Sequence, residues 1–110
     1  MNFDVIVTEP FERKFKRLAK KYKSLPADLS ALIDVLESNP KTGTPLGKDC
    51  YKIRFVITSK GKGKSGGGRI ITYVRVHNKA VFLMDIYDKS EQSNITQKEL
   101  QMLIEILAAD

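Results

Sequence analysis

The sequence is poor in the residues that most often build cross-links and metal centres. Its 110 residues contain one cysteine, Cys50, and one histidine, His77. A single cysteine excludes an intrachain disulfide. One cysteine and one histidine are also too few nitrogen and sulfur ligands for a zinc site. No apolar run approaches the ~20 residues that a membrane-spanning helix needs. The opening residues, MNFDVIVTEP, show no basic stretch followed by an apolar one, and no signal peptide is expected there. A reducing, cytoplasmic compartment fits this composition. The length suits one domain with one hydrophobic core, so residues 1–110 are read as a single unit.

The most informative absence is local. From Cys50 to Met84 there is no carboxylate, whereas eight basic residues occur: Lys52, Arg54, Lys60, Lys62, Lys64, Arg69, Arg75 and Lys79. The rest of the chain has more acids than bases, so the middle third carries the whole net charge of +6. A solvated surface normally mixes signs. An unbalanced one points to an anionic partner, and RNA or DNA is the natural choice. A second basic run, Arg13 to Lys23, is partly offset by Glu9 and Glu12 and reads as the solvated face of an amphipathic helix.

Periodicity supplies the framework. Asn2–Thr8 reads as a short strand with Phe3, Val5 and Val7 on one face. Thr8-Glu9-Pro10 has the form of a helix start, with a capping hydroxyl, an acid and an early proline. Phe11, Phe15, Leu18, Ala19 and Tyr22 then make one apolar stripe. Ser24-Leu25-Pro26 breaks this helix and opens a second, with Leu29, Leu32, Ile33 and Leu36 on its stripe and Asn39-Pro40 at its end. Lys41–Asp49 is expected to be a loop. The period then changes to two at Tyr51–Thr58, and Arg69–Val76 and Ala80–Tyr87 follow as strands about a His77-Asn78-Lys79 turn. Thr96–Ala109 closes the chain as an amphipathic helix. The expected fold is α+β, in the order β-α-α-β-β-β-α, with an antiparallel meander and a helical hairpin packed on one face. The other face is expected to be open, with Lys52, Arg54 and Arg69 projecting from it.

Between the first two meander strands lies Lys60–Gly68, five of whose nine residues are glycine. Gly61, Gly63 and Gly66 match a dinucleotide fingerprint in letters only, because that motif must open a helix and a strand follows here. Gly63-Lys64-Ser65 lacks the upstream glycine and the helix of a phosphate-binding P-loop. The chemistry left to this loop is that of backbone N–H groups and lysine charges able to hold a polyanion, or else of a solubilising hairpin loop.

The segments Tyr51-Lys52-Ile53-Arg54, the Lys-Gly-Lys-Gly-Lys loop, Gly67–Tyr73 and Ile86-Tyr87-Asp88-Lys89-Ser90-Glu91 together resemble the RelE/ParE superfamily of bacterial toxins. The resemblance runs from Phe11 to about Leu100 and is strongest to the HigB-like branch of RelE toxins, which carry this glycine–lysine insertion. It implies a toxin of a type II toxin–antitoxin system, with a cognate antitoxin as partner. The implied activity is metal-free endoribonuclease cleavage of mRNA in the ribosomal A site, in which a ribose 2′-hydroxyl attacks the adjacent phosphate. Carried over by position, Lys52 is a candidate base, and Arg54 and Arg69 are candidate phosphate ligands. Lys89 would support the leaving group or the phosphate, and Tyr87 would stack on a base or donate a proton. Lys60, Lys62, Lys64 and Arg75 are grouped as RNA-binding. Some relatives have an arginine after the position of Lys89 and a catalytic tyrosine near the C-terminus. Ser90 and a polar residue near Asn94–Thr96 stand at those places, which leaves the general acid unassigned. Plainer readings remain beside these: Arg69 paired with Asp85, Tyr87 as a core aromatic, His77 as a surface turn residue, Cys50 as a small buried hydrophobe. A gyrase-inhibiting ParE-like protein and an inactive RNA-binding module are the competing functions.

Overall fold

The computed structural model describes residues 2–108. The elements are β1 (Asp4–Val7), α1 (Glu9–Lys21), α2 (Leu25–Ser38), β2 (Thr44–Gly47), β3 (Cys50–Phe55), β4 (Gly68–Arg75), β5 (Ala80–Asp88) and α3 (Gln97–Ala108). The strands form one sheet in the order β1-β5-β4-β3-β2. β1 runs parallel to β5, and the other pairings are antiparallel. The α+β class and the β3-β4-β5 meander are as expected.

Two expectations change. The 41–49 segment is not all loop, because β2 pairs with β3 through a turn whose central residues, Lys48 and Asp49, both have left-handed backbones (φ 55° and 65°). Two-residue hairpins of type I′ need that geometry, and its usual sequence signal is Asn-Gly or Asp-Gly. Lys-Asp carries no such signal. The second sheet face is also not wholly open, because α3 lies across part of it and makes a second apolar layer. The helical hairpin covers one face, where Phe11, Leu18, Tyr22, Leu25 and Leu36 meet Ile53, Ile70, Val74, Leu83 and Ile86. On the other face Ile95 and Leu100 pack on Cys50, Ile71, Met84 and Tyr87.

Local sequence explains the elements. Pro10 sits in the first turn of α1, where its missing N–H costs nothing. Thr8 does not cap that helix; its hydroxyl donates to the Leu83 carbonyl at 2.8 Å and ties the helix start to β5. α3 begins with a capping box. The Glu99 N–H donates to the Thr96 hydroxyl at 3.1 Å, and the Thr96 N–H donates to the Glu99 carboxylate at 2.9 Å. The pairing of β4 with β5 skips Met84, because Ile71 faces Asp85 while Thr72 faces Leu83. That bulge shifts the alternation of β5 by one. It leaves Val81 and Leu83 facing the hairpin but turns Asp85 and Tyr87 to the α3 side.

Candidate active site

The bulge and the meander register place a row of polar side chains across three strands. Arg54 of β3 stands opposite Arg69 of β4, and Arg69 stands opposite Tyr87 of β5. Such neighbours have Cβ atoms ~4.5–5.5 Å apart. Lys52 lies on the same face one alternate step along, opposite Ile71. Lys89 follows β5. Burial pulls the Lys52 amine below its ordinary pKa, and the charges of Arg54, Arg69 and Lys89 lower it further. The Lys52 amine donates to the Asn94 side-chain carbonyl at 3.3 Å, and the same oxygen accepts the Ile95 N–H at 2.9 Å. Asn94 thus links the approach to α3 with the cluster. Among the described residues no salt bridge engages Lys52, Arg54, Arg69 or Lys89.

The family model described as the RelE toxin of the RelE/RelB toxin–antitoxin system matches residues 11–109. The chain belongs to the RelE toxin family. Its fold is similar to that of a double-arginine mutant of E. coli RelE in the free state, with a TM-score of 0.61, 16% identity, and 84% of this chain and 90% of that one covered. It is also similar to a chain of the intact E. coli RelBE toxin–antitoxin complex, with a TM-score of 0.58, 20% identity, and coverage of 78% and 95%. The isolated E. coli RelE toxin matches with a TM-score of 0.58 and 18% identity over 94% and 98% of the two chains.

Within this RelE fold Arg69 is only 3% exposed. Its Nη1 donates to the carbonyls of Lys64 (2.9 Å) and Gly68 (3.0 Å), and its Nη2 donates to that of Ser65 (3.5 Å). It does not pair with Asp85, which takes the Lys14 amine of α1 at 2.7 Å. Burial and the neighbouring Arg54 lower its pKa, although a guanidinium remains charged at any working pH. Tyr87 is 2% exposed and its hydroxyl has no hydrogen-bond partner among the described residues. Burial raises its pKa, Arg69 opposes that, and Asp85 and Glu99 add to it. Its ring is therefore a core aromatic beside the cluster, and its hydroxyl is not exposed as a proton donor.

Two of the grouped RNA-binding residues are placed elsewhere. Lys60 points inward: its amine meets the fully buried Asp88 carboxylate at 2.6 Å and the Ser90 hydroxyl at 3.1 Å. Burial alone would raise the Asp88 pKa, but hydrogen bonds from Lys60, Tyr22 and Ser90 hold it well below the usual carboxylate range. Arg75 stacks over Phe82 at 5.0 Å and Tyr73 at 5.7 Å. Six residues along β4, it is ~20 Å from Arg69. Lys62 and Lys64 are exposed on the loop.

His77 is exposed in the short turn Val76–Asn78. Burial and Asp49 push the Cys50 thiol up to about 11 against the opposing charge of Lys48, which leaves it unreactive. The described residues hold no cluster of histidine, cysteine and carboxylates suited to a metal ion, and no helix long and apolar enough to cross a membrane. The Lys60–Asp88–Tyr22 network and the Lys14–Asp85 pair were not foreseen. They join positions 28 to 71 residues apart, which no local pattern signals.

Proposed function

We propose that this RelE-family chain is the toxin of a toxin–antitoxin pair and cleaves mRNA in the ribosomal A site without a metal. The carrying observation is the convergence of Lys52, Arg54, Arg69 and Lys89 on one sheet face, with no carboxylate paired to them among the described residues. In this reading the Lys52 amine accepts the proton of the ribose 2′-hydroxyl. Its lowered pKa raises the fraction in the basic form at neutral pH. The 2′-oxygen bonds to phosphorus and the bond to the 5′-oxygen breaks, giving a 2′,3′-cyclic phosphate and a 5′-hydroxyl. Arg54 and Arg69 carry the charge that builds on the phosphate oxygens. Lys89 supplies the proton, or the positive charge, that the leaving 5′-oxygen needs. Tyr87 contributes the buried wall beside Arg69.

The glycine–lysine insertion supports the HigB-like branch, and the composition supports a cytoplasmic location. The protein partner is an antitoxin that covers the cationic face with an acidic segment. The test is a paired assay of mRNA cleavage in a translating extract and of gyrase supercoiling. Wild-type protein should cut mRNA, and Lys52→Ala should lose ~10²–10⁴-fold in rate. Inhibition of gyrase with intact mRNA would overturn the reading in favour of a ParE-like protein.

A further inference from the structure

The glycine–lysine loop touches the cluster through its backbone, not its lysines. We propose that this loop is a carbonyl brace that positions Arg69, fixing one side of the guanidinium and leaving the Nε edge for the phosphate. The inference rests on the reading of Arg69 as a phosphate ligand.

The hydrogen bonds divide the guanidinium in two. Nη1 serves the Lys64 and Gly68 carbonyls and Nη2 serves that of Ser65. A guanidinium has five N–H donors. The Nε–H has no partner among the described residues, and with the Nη2–H beside it can form the bidentate fork that matches a phosphate. The carbonyl oxygens also place negative partial charge against Arg69, which offsets the repulsion from Arg54 across the strand pair.

The loop is held tightly enough to act as a brace. At its start, the Thr58 N–H and hydroxyl donate to Asp28 at 3.0 and 2.6 Å, and the Ser59 N–H donates to the Ser24 hydroxyl at 2.8 Å. Lys60 is anchored on Asp88, and at the far end the Lys89 N–H donates to the Gly67 carbonyl at 3.0 Å. The turn after β5 therefore grips both feet of the loop. Glycine is required where the loop presses on β3: a Cβ on Gly67 would lie 2.3 Å from the Phe55 carbonyl oxygen. A floppy solubilising loop would need no such close approach. Holding a ligand group in place before reaction lowers the barrier, and a displacement of ~1 Å can cost ~100-fold in rate.

The test separates carbonyls from lysines. Deleting residues 62–65 removes the Lys64 and Ser65 carbonyls, whereas K62A/K64A keeps them. On programmed ribosomes K62A/K64A should act mainly on KM, and the deletion, which removes the same lysines, should add to that effect a ~10- to 100-fold fall in kcat. In an Arg69→Lys background the deletion should cost nothing more in kcat. Should the deletion prevent folding, Gly67→Ala serves, because its methyl must push the loop off β3. NMR of the Arg69 side chain gives a readout independent of activity: Cζ–Nη1 rotation should be slow in the wild type and fast in the loop variants. Unchanged rotation overturns the brace, as does K62A/K64A reproducing the full loss of kcat. If Arg69→Ala still cleaves mRNA while rotation responds to the loop, the functional reading of Arg69 fails and the brace itself stands.

Discussion

Arg54 and Arg69 face each other across β3 and β4, a pairing that costs stability. Like charges directly opposite in a sheet are destabilising by up to ~1 kcal/mol. Such a cost is understandable where an anion is to be bound. Arg54→Gln should therefore raise the stability of the free protein by roughly 0.5 kcal/mol in urea denaturation while it lowers cleavage. The same substitution tests the role of Lys52. A lysine base works when neutral, so cleavage should rise with pH as the amine loses its proton, with a midpoint below that of a free lysine. Removing Arg54 takes away one cause of the lowered pKa, so that limb should move to higher pH. A limb that stays in place in Arg54→Gln would exclude Lys52 as the group seen in the profile. Tyr87 makes the opposite case. Its buried hydroxyl has no partner among the described residues, and leaving such a group unsatisfied costs ~1–3 kcal/mol. Tyr87→Phe should hold or raise the melting temperature of the free protein; a clear fall would mean that the hydroxyl has a partner in solution.

At the scale of elements, the meander depends on the turn that follows β5. The Asp88 carboxylate accepts from Lys60 on one oxygen and from Tyr22 on the other, the latter at 2.5 Å. It thereby joins α1, the loop and the sheet. Taking away one partner of a buried pair leaves the other charge uncompensated, so Lys60→Ala should cost about 3 kcal/mol and loosen the loop. Because the Asp88 pKa is depressed on folding, its contribution is present above the unfolded value of ~3.9 and is lost as the pH falls through the folded one. Asp88→Asn should flatten the acid limb of the stability curve, measured by denaturant unfolding between about pH 5 and 2. None of this was legible in the sequence. Lys60 reads there as one more loop cation, because the anion that captures it is 28 residues away. Strict alternation made β3 and the Lys52–Arg54 face legible. The bulge at Met84 hid the fact that Tyr87 shares the face of Arg69 while Leu83 does not. The β2–β3 hairpin was hidden by its Lys48-Asp49 turn, and the place of α3 by the fact that an apolar stripe does not say which sheet face it covers.

Across the whole molecule the charge excess is a matter of placement. The basic face of α1 is largely balanced, with Lys14 on Asp85, Lys16 on Glu12, and Arg17 and Lys21 on Glu91. Among the described residues the cluster on the meander has no such partners, so the two basic regions that look alike in composition should behave differently toward a polyanion. Each phosphate contact on single-stranded RNA contributes about −0.7 to the slope of log K against log salt. With Lys52, Arg54, Arg69, Lys89, Lys62 and Lys64 engaged, the isolated protein should bind a short single-stranded RNA with a slope near −4, about −0.7 for each of those cations. Neutralising Lys52 or Lys89 should each make the slope shallower by ~0.7. Substituting Lys20 and Lys23, exposed on and just beyond α1, should leave it unchanged. Affinity measured by fluorescence anisotropy across a salt series distinguishes the two regions. If the α1 substitutions flatten the slope as much as the meander ones, RNA is reading the overall charge of +6 and not the sheet face. A slope that responds only to the meander places the phosphate path over Lys52, Arg54 and Arg69.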